Sequence, residues 1–487
     1  LWYVNSCIVF FLLDKVRSPR IKTHQVENNT VISVCVKYFI DYLSYMDNLW
    51  VVVCSGNLIT FSVGTAITWA SPELDKLEEI NVISNQDQRS WVSSLFQLGG
   101  LFGPFVYGFM ADKVGRKNTI LAIGVPLLVG YLLMAFVREL ASFYVSRFII
   151  GLATGGMYAV LPNYVSEISE KASRGTFSCL LNVFQCSGML FCYAVGPYTS
   201  VVVFNFILAI FPAACIILFY LLAIESPHYL IKTGQYDLAK STIESIRGKG
   251  ANVESELAMI EKAIEEEGRP SVKDICRSKG NKKAFLITVV LLCFQQLTGI
   301  NAILTYAQTI FKDSGTSIPP EICSMIIGAV QLGASFLTPI FVDKLGRKML
   351  LIISAIGMVL SELPLGLYSH FYAHQKEGSN LSYLPIVCLV VFILTYNVGF
   401  AQVPWTIMAE MFPTGIRSKA ASLVTAACLL LGFFIVKYFE QMSNNIGLGV
   451  CFMIFSVCCA VSTIFVKFVV IETSKKSLEE IQTELNS

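Results

Sequence analysis

The sequence predicts an all-α membrane protein with twelve transmembrane helices arranged in two six-helix halves. Its 487 residues are 54% hydrophobic and 14% charged, with a mean hydropathy of +0.63, whereas soluble chains carry roughly 25% charged residues. Apolar stretches long enough to cross a bilayer recur along the chain. The net charge of +2 excludes electrostatic attachment to nucleic acid, and the apolar content excludes disorder.

A polar segment separates the first six predicted spans from the last six. A helix needs about 20 mostly apolar residues to cross the hydrocarbon core. The predicted spans, numbered 1 to 12 in order, lie at 49–69, 91–110, 119–137, 143–167, 177–196, 202–224, 285–311, 322–342, 349–368, 383–409, 419–437 and 446–471. The predicted parts are an N-terminal cytoplasmic segment (1–48), a first half (49–224), a cytoplasmic linker (225–284), a second half (285–471) and a cytoplasmic tail (472–487).

The linker between the halves has helical composition in two places. Residues 235–247 and 254–267 contain mixed charges and no proline, which predicts short amphipathic helices on the cytoplasmic face. These helices either join the halves as a solvated linker or regulate them, and composition does not decide between the two. The apolar stretch Leu1–Leu13 is too short to span and is assigned no function.

The basic residues of the short loops predict the orientation in the membrane. Lys113, Arg116 and Arg347 are among those that fall in the loops on the side of the N-terminus, which the positive-inside rule makes cytoplasmic. Asn380, in the sequon Asn380-Leu381-Ser382, then lies outside and is a predicted glycosylation site. We therefore expect a multi-pass protein of the plasma membrane with both termini inside.

A pattern of charges repeats in the two halves. The run Asp112-Lys-Val-Gly-Arg116-Lys follows span 2 and Asp343-Lys-Leu-Gly-Arg347-Lys follows span 8, while a Glu and an Arg recur with equal spacing after spans 4 and 10. Such correspondence indicates duplication, which builds many transporters. Acids and bases paired where helices leave the membrane predict a cytoplasmic gate, as against charges that only fix topology. The predicted gate residues are Asp112, Arg116, Glu167, Arg174, Asp343, Arg347, Glu410 and Arg417.

Further motifs carry a resemblance to a known family. They are Arg147-Phe-x-x-Gly151, Pro162-x-Tyr-x-x-Glu167, Glu225-Ser-Pro-His-Tyr-Leu230, Gln295-Gln-x-x-Gly-x-Asn301, Pro404-Trp405 and Glu472-Thr473. Together and in this order they resemble the sugar porters of the major facilitator superfamily, from about Val51 to Ile481. The segments 61–65, 71–72 and 116–121 are most similar to insect facilitated trehalose transporters. The resemblance implies the major facilitator fold.

Amide side chains are the predicted sugar ligands. Gln295, Gln296 and Asn301 lie in span 7, and amides offer donors and acceptors without charge. Gly299 between them permits local unwinding, although such amides also serve simply to join helices. The resemblance favours sugar contact. Trp405 offers a ring face and an indole N–H, or is a packed residue beside the bend that Pro404 allows.

The resemblance adds three residues to the predicted sugar site and reveals one departure from the family. Asn182 in span 5 and Gln331 in span 8 join the wall of the site, and Tyr306 belongs to an outer lid. Span 11, which reads VTAACLLLGFF over 424–434, lacks the asparagines and tryptophan that hexose carriers place there. This departure leaves the identity of the sugar open.

The resemblance implies facilitative transport of trehalose or a hexose by alternating access, with no enzymatic activity, cofactor or metal. Span 1 contains no carboxylate of the kind that proton-coupled relatives carry, and Glu362 in span 9, the nearest exception, is expected to reach the extracellular interface. A proton-coupled sugar or polyol symporter and a non-transporting sugar sensor are the alternatives. The expected partners are a small-molecule sugar and the lipid bilayer, and we expect a monomer.

Overall fold

The computed structural model describes residues 48–170, 174–247, 253–267, 278–372, 382–474, 476 and 478–486, without the side chains of 48, 266–267, 337–344, 414–415, 418 and 478–479. All regular secondary structure in this part of the chain is helical. Among the described residues, eleven helices are long and apolar enough to cross a membrane. The predicted glycosylation site Asn380 and the stretch Leu1–Leu13 lie outside the described residues.

The helices of the first half follow the predicted spans. Spans 1 to 6 are the helices Asn48–Thr68, Gln86–Val114, Arg116–Phe136, Leu140–Ile168, Arg174–Val195 and Val201–Leu222. A further helix, Ala70–Glu79, continues from the end of span 1, and a short 3-10 turn, Gly196–Tyr198, follows span 5. Asn85 begins span 2 by accepting a hydrogen bond from the backbone N–H of Gln88, which satisfies one of the free donors of that helix end.

The second half contains two interrupted spans. Span 7 consists of Lys279–Leu297, Ile300–Thr305 and Ala307–Asp313, and span 10 of Leu384–Val398 and Val403–Met411. Spans 9, 11 and 12 are Arg347–Phe371, Thr414–Ile446 and Leu448–Phe468. Span 8 is the 26-residue helix Pro320–Leu345, whose described apolar part, Pro320–Phe336, is shorter than the other spans.

The break in span 10 lies before the proline rather than at it. Pro404 occupies the first turn of Val403–Met411, where the N–H that proline lacks is not needed by the helix. The irregular backbone is Gly399–Gln402. The sequence therefore predicts a bend near Pro404 correctly, but the helix is interrupted in the glycine-containing segment that precedes the proline.

Close packing of spans 2 and 4 depends on glycine. A Cβ atom at Gly99 would lie 2.0 Å from the Phe148 carbonyl oxygen, and one at Gly155 would lie 2.1 Å from that of Gly100. No side chain fits at such distances, so the two backbones are in direct contact. Small residues at helix interfaces serve this purpose in membranes.

The two halves meet along two pairs of spans, span 2 with span 11 and span 5 with span 8. Leu429 of span 11 packs where a Cβ at Gly100 would be, and Tyr193 of span 5 packs against Gly328 of span 8.

The linker forms the helices Pro227–Lys232, Tyr236–Arg247 and Val253–Glu267, two of which coincide with the predicted amphipathic helices. They share a small apolar core that includes Leu230, Ile243 and Ile260. The tail forms the helix Leu478–Asn486, which packs against span 7. We call the side of the molecule that carries the linker helices the linker face, and the opposite side, which carries Ala70–Glu79, the Arg89 face.

Candidate functional site

The break in span 7 brings its amides to the centre of the molecule. Gly299 has φ +75°, a left-handed conformation that glycine adopts without strain, and it ends the helix Lys279–Leu297. Gln295 is buried and donates a hydrogen bond from Nε2 to the Phe400 carbonyl oxygen at 2.6 Å. That carbonyl lies in the break of span 10, so Gln295 satisfies a backbone group that the interrupted helix leaves free.

Gln296 and Asn301 form a pair next to this junction. The Asn301 amide donates to Gln296 Oε1, and Gln296 Nε2 donates to the Cys428 thiol at 3.0 Å. Gln296 is buried, while Asn301 is half-buried. The span 7 amides therefore have different surroundings: Gln295 contacts the backbone, and the other two contact each other and span 11.

Tyrosine hydroxyls from both halves lie near Cys428, the hydrogen-bond partner of Gln296. Tyr158 of span 4 donates to Gln185 Oε1 at 3.1 Å and is 40% exposed in mid-span, so it lines space between the halves. Tyr396 of span 10 interacts with Gln295, Cys428 and Tyr158. Sequence reasoning missed both tyrosines, because aromatic residues in apolar spans give no signal that separates cavity wall from packing.

Three of the other predicted wall residues lie in different surroundings. Asn182 is half-buried and accepts a hydrogen bond from Cys186 of its own helix at 3.7 Å. Gln331 is buried, and its Oε1 has no hydrogen-bond partner in the described part of the chain. Trp405 is half-exposed in the first turn of Val403–Met411.

Tyr306 lies at the second break of span 7, between Ile300–Thr305 and Ala307–Asp313. It is fully buried, donates to the Val436 carbonyl oxygen at 3.1 Å and stacks on Phe439. From the first half, Tyr193 donates to the Leu304 carbonyl oxygen at 2.8 Å. This part of span 7 is thus hydrogen-bonded both to span 11 and to the first half.

The charges of the linker face form the same arrangement in each half. Arg116 pairs with Glu167 at 3.1 Å and lies 3.8 Å from Asp112, and Arg347 pairs with Glu410 at 3.0 Å. Each pair joins residues of one half. The correspondence agrees with the duplication predicted from the sequence.

A second carboxylate completes each cluster on the linker face. Glu225 accepts hydrogen bonds from the backbone N–H groups of Arg116 and Lys117, at the first residues of span 3. Glu472 accepts those of Arg347 and Lys348 at the start of span 9, both at 3.0 Å. Acids are favourable at helix N-termini, where backbone donors are free. The motifs contained both acids, but their partners were not predicted.

Two further predicted gate residues, Arg174 and Arg417, do not join the described pairs. Arg174 is exposed at the start of span 5, and Arg417 donates to the Phe412 carbonyl oxygen at 3.2 Å. The Asp343 side chain lies outside the described residues.

The Arg89 face carries a network of ion pairs that sequence reasoning missed. Arg89 of span 2 is 5% exposed and contacts Asp75 at 2.7 Å, Glu78 at 3.1 Å and Glu440 of span 11 at 2.7 Å. Its guanidinium also donates to Thr309 of span 7 at 2.9 Å. These contacts join the first half to the second.

Lys437 of span 11 makes a further contact between the halves. Its ammonium lies 2.6 Å from an Asp87 carboxylate oxygen, donates to Ser90 at 2.8 Å and lies 4.2 Å from the centre of the Trp91 ring. A lone lysine inside an apolar span was the available sequence signal, since charges there mark functional positions.

Arg147 of span 4 is a buried cation held by neutral groups. Its guanidinium donates to the Ala66 carbonyl oxygen at 2.8 Å and to that of Val92 at 3.2 Å. It also lies over the rings of Trp69 and Phe96. Carbonyl dipoles and aromatic faces therefore compensate this charge.

The prediction that Glu362 reaches the extracellular interface is wrong. Its side chain is completely buried between spans 9 and 12, where Oε2 lies 3.4 Å from the Cys459 thiol, and does not reach a surface. Spans 9 and 12 pack against each other and against other spans of the second half. The carboxyl is therefore remote from the space between the halves.

Known proteins are similar to this chain in sequence and in architecture. Residues 30–485 match the profile of the family described as "Sugar (and other) transporter". The facilitated trehalose transporter Tret1 of Polypedilum vanderplanki is 34% identical over 441 residues, which cover 89% of this chain and 87% of the relative. That of Culex quinquefasciatus is 35% identical over 440 residues, with coverages of 88% and 84%. Against Tret1 of Drosophila erecta, at 34% identity, the chain spans about half of the relative, 51%.

Solved structures show the fold. The proton:xylose symporter XylE bound to 6-bromo-6-deoxy-D-glucose matches with a TM-score of 0.73 and 21% identity over 90% of this chain and 99% of that chain. A partially occluded inward-open conformation of XylE from E. coli matches with a TM-score of 0.75 and 20% identity over 88% and 99%. The fold is the major facilitator fold, and the chain belongs to the sugar (and other) transporter family, as a multi-pass membrane transporter and not an enzyme.

Proposed function

We propose that this protein transports a sugar, trehalose or a hexose, down its concentration gradient across the plasma membrane by alternating access. The observation that carries the proposal is the Gln296–Asn301 amide pair, at the break of span 7 between the halves of a chain of this family. Curated relatives are named facilitated trehalose transporters, which makes trehalose the first sugar to test.

The sugar site combines groups of both halves. An amide offers donors and an acceptor, so sugar hydroxyls can replace the contacts that Gln296 and Asn301 make with each other and with Cys428. The unpartnered Gln331 Oε1 is a ready acceptor. Tyr158 lines the opposite wall from the first half, and Trp405 and Asn182 complete the site. Gln295 contributes by holding the break of span 10 in place.

Uncoupled transport follows from how the buried charges are compensated. Arg147 is held by carbonyls and aromatic rings, so its compensation requires no carboxylate that could exchange a proton. Glu362 is buried between spans 9 and 12, away from the sugar site. A proton bound there would have no direct contact with the sugar.

The orientation and the gates complete the proposal. The linker face is cytoplasmic with both termini, and Asn380 is glycosylated outside. The Arg116–Glu167 and Arg347–Glu410 pairs belong to a cytoplasmic gate, together with Asp112, Arg174, Asp343 and Arg417, and Tyr306 belongs to the outer lid. One chain contains both halves of the site and acts as a monomer.

Uptake measurements test the function. Labelled trehalose and glucose are offered to transporter-poor cells that express the protein, with and without an uncoupler. Uptake that stops at equal concentrations and ignores the uncoupler is expected. Accumulation that collapses with the uncoupler would contradict uncoupled transport, and absence of flux despite surface expression would contradict transport of either sugar.

The Gln296→Ala variant tests the site. Loss of one hydrogen bond costs about 0.5–1.5 kcal/mol, so affinity falls by up to roughly tenfold. Asn118→Ala is the control, because this exposed amide donates only to the Val114 carbonyl oxygen at the end of span 2 and should leave uptake unchanged. Unchanged kinetics of the Gln296 variant would make this amide a structural group.

A further inference from the structure

A polar cavity lies on the Arg89 face, between the two halves. Its volume is about 580 Å³, and small-molecule sites usually measure roughly 300–1,000 Å³. The first half supplies the end of Ala70–Glu79, the start of span 2 and the loop that joins them, and the second half supplies the last turns of span 11. Among the nine described residues that line the cavity, only Ile83 is apolar. Ser84 and Asn444 at its rim are exposed, so the cavity is open to solution.

The first-half wall of this cavity is ordered by its own hydrogen bonds. Asn81 follows the helix Ala70–Glu79 with φ +57°, in the left-handed region that asparagine tolerates better than most residues. The Ser84 N–H donates to Gln88 Oε1 at 2.8 Å, and the Gln88 N–H donates to Asn85 Oδ1 at 2.9 Å. This reciprocal pair ties the loop to the first turn of span 2. A wall that is already ordered lowers the entropic cost of binding a ligand.

The two walls bring charges of both signs to the cavity. Arg89 of the first half lies 3.1 Å from Glu78 Oε1 and 2.7 Å from Oε1 of Glu440 in the second half. Glu440 Oε2 and Gln86 Nε2 are buried in the cavity wall and have no hydrogen-bond partner in the described part of the chain. An unpartnered buried acceptor and an unpartnered buried donor are costly. A hydroxyl group suits both, because it donates and accepts.

The charges of the lining favour a neutral ligand. The Arg89 guanidinium disfavours a metal ion or an amine, and the carboxylates of Glu78 and Glu440 disfavour an anion. A molecule with several hydroxyl groups meets neither repulsion. The amides of Asn81 and Asn444 offer it further donors and acceptors without charge.

We propose that this cavity is a second binding site, for a neutral polyhydroxylated solute (a sugar or a polyol), and that the bound solute holds the Arg89 face closed. The cavity exists only while span 11 lies against the first half, because Glu440 and Asn444 form one of its walls. A ligand that contacts both walls therefore stabilises the closed conformation. The inference goes beyond sugar transport and takes from the proposed function only the orientation that places this face outside the cell.

Protection from thiol labelling tests the binding. Ser84→Cys places a thiol on the cavity rim, and Asn445→Cys places one on an exposed residue that does not line the cavity. Intact cells are treated with an impermeant thiol reagent in the presence and absence of trehalose or sorbitol, with the unmodified protein as background. Either solute is expected to slow labelling of Ser84→Cys by about threefold or more and to leave Asn445→Cys unchanged.

Two amide variants show whether the solute lies in the cavity. Gln86→Leu and Asn444→Ala remove one amide from each wall, and each should abolish the protection of Ser84→Cys. Protection that persists in both variants would place the solute elsewhere, such as at the central amides, and overturn the proposal. No protection by either solute, or protection by Ca²⁺ or choline alone, would overturn it as well.

Uptake kinetics test the closing effect. External sorbitol is expected to lower the maximal rate of trehalose uptake without raising the KM, because it binds the conformation that is closed at this face, and Gln86→Leu should be insensitive. A raised KM at unchanged maximal rate would show competition at the central site and overturn the closing role.

The outcomes separate this cavity from the proposed function. Absence of uptake with protection intact would refute sugar transport alone, and labelling of a cysteine in place of the buried Ser93, which sorbitol should slow, then tests the closing effect. Labelling of Asn445→Cys only after permeabilisation would refute the orientation, and the same comparison in permeabilised cells then decides whether the cavity binds the solute.

Discussion

The two faces of the molecule use ion pairs differently. On the Arg89 face, Arg89 with Glu440 and Lys437 with Asp87 connect the first half to the second. On the linker face, the pairs described above connect residues within one half. Contacts between the halves must break when that face opens, whereas contacts within a half can persist in every conformation. The conformation described here is therefore held closed at the Arg89 face.

The largest effect is expected from Arg89→Ala, which removes the central cation of the Arg89 face. Removal of one partner from a buried ion pair costs several kcal/mol, and partial exposure of Asp75 and Glu78 reduces this to about 2–3 kcal/mol. The balance of conformations should shift roughly 30- to 150-fold towards opening of this face. A cysteine in place of Ser93, one turn deeper in span 2, should then react with an impermeant thiol reagent added outside the cell.

Two comparisons control the Arg89 experiment. The same protein without Ser93→Cys gives the background from native cysteines. Lys312→Ala removes a 68% exposed lysine from the same Asp75 carboxylate, and its effect should be small because the pair is solvated. Unchanged labelling in Arg89→Ala would show that the network does not hold this face closed.

The next largest effect is expected from Arg116→Ala on the linker face. This change leaves Glu167 without its cation, whereas Asp112 keeps Lys232 at 3.3 Å. An unpaired carboxylate is costly to bury when the linker-face ends of the halves come together, so the loss should disfavour closure of this face and decrease labelling at Ser93→Cys. A double-mutant cycle between Arg116 and Glu167 should give a coupling of about 1–3 kcal/mol in stability. Increased labelling at Ser93→Cys would contradict its place in the cytoplasmic gate.

The difference between the faces also shows what the sequence could predict. Hydropathy is a local property, so the span ends were predicted to within six residues, except the end of span 11, which lies nine residues beyond the predicted one. The charges of the linker face repeat in recognisable sequence motifs. The Arg89 face has no motif: Lys437 and Asp87 are single charges separated by most of the chain. Their pairing exists only once the two halves have folded together.

The candidate site likewise contains residues that the sequence predicted and contacts that it did not. The three amides of span 7 were visible because polar residues are rare in apolar spans. The contact of Gln295 with the Phe400 carbonyl was not, because it depends on a break in another helix. The contact of Cys428 with Gln296 was hidden for a further reason. In an apolar span a cysteine is normally a small hydrophobe, and only the position of the Gln296 amide distinguishes this one.

A smaller shift in the balance of conformations is expected from Lys437→Met, which keeps an unbranched apolar side chain but removes the charge. Asp87 is 74% exposed, so the ion pair is partly screened, and the contact with the Trp91 ring adds a similar modest contribution. The combined loss is about 1 kcal/mol, or roughly fivefold in the balance of conformations. Labelling at Ser93→Cys should rise accordingly, with Asp87→Asn giving a smaller increase. An effect as large as that of Arg89→Ala would place Lys437 at the centre of the network.

The smallest effect is a pH dependence that distinguishes one carboxylate on each face. Burial raises the pKa of Glu73, on the Arg89 face, to about 7 despite the attraction of Lys76. The pKa of Glu472, on the linker face, lies below its ordinary value of 4.5. Burial alone would raise this pKa, but hydrogen bonds from backbone N–H groups, including those of Ser474, Lys348 and Arg347, have the larger combined effect.

The two shifts have opposite consequences for stability. A raised pKa means that the folded state binds more protons than the unfolded state between pH 4.5 and 7, so the contribution of Glu73 is complete below pH 4.5 and is lost as pH rises to 7. The contribution of Glu472 is present above pH 4.5 and is lost only below it, as pH falls through its lowered pKa.

In detergent, the unfolding temperature of the protein should therefore rise as pH falls from 7 to 5. Glu73→Gln should reduce this slope, because its side chain no longer titrates, while Lys76 keeps its contact with the Thr199 carbonyl oxygen. Glu472→Gln should retain the slope at a lower unfolding temperature, and an unchanged slope in Glu73→Gln would show that this carboxyl is ionised in the folded protein throughout the range.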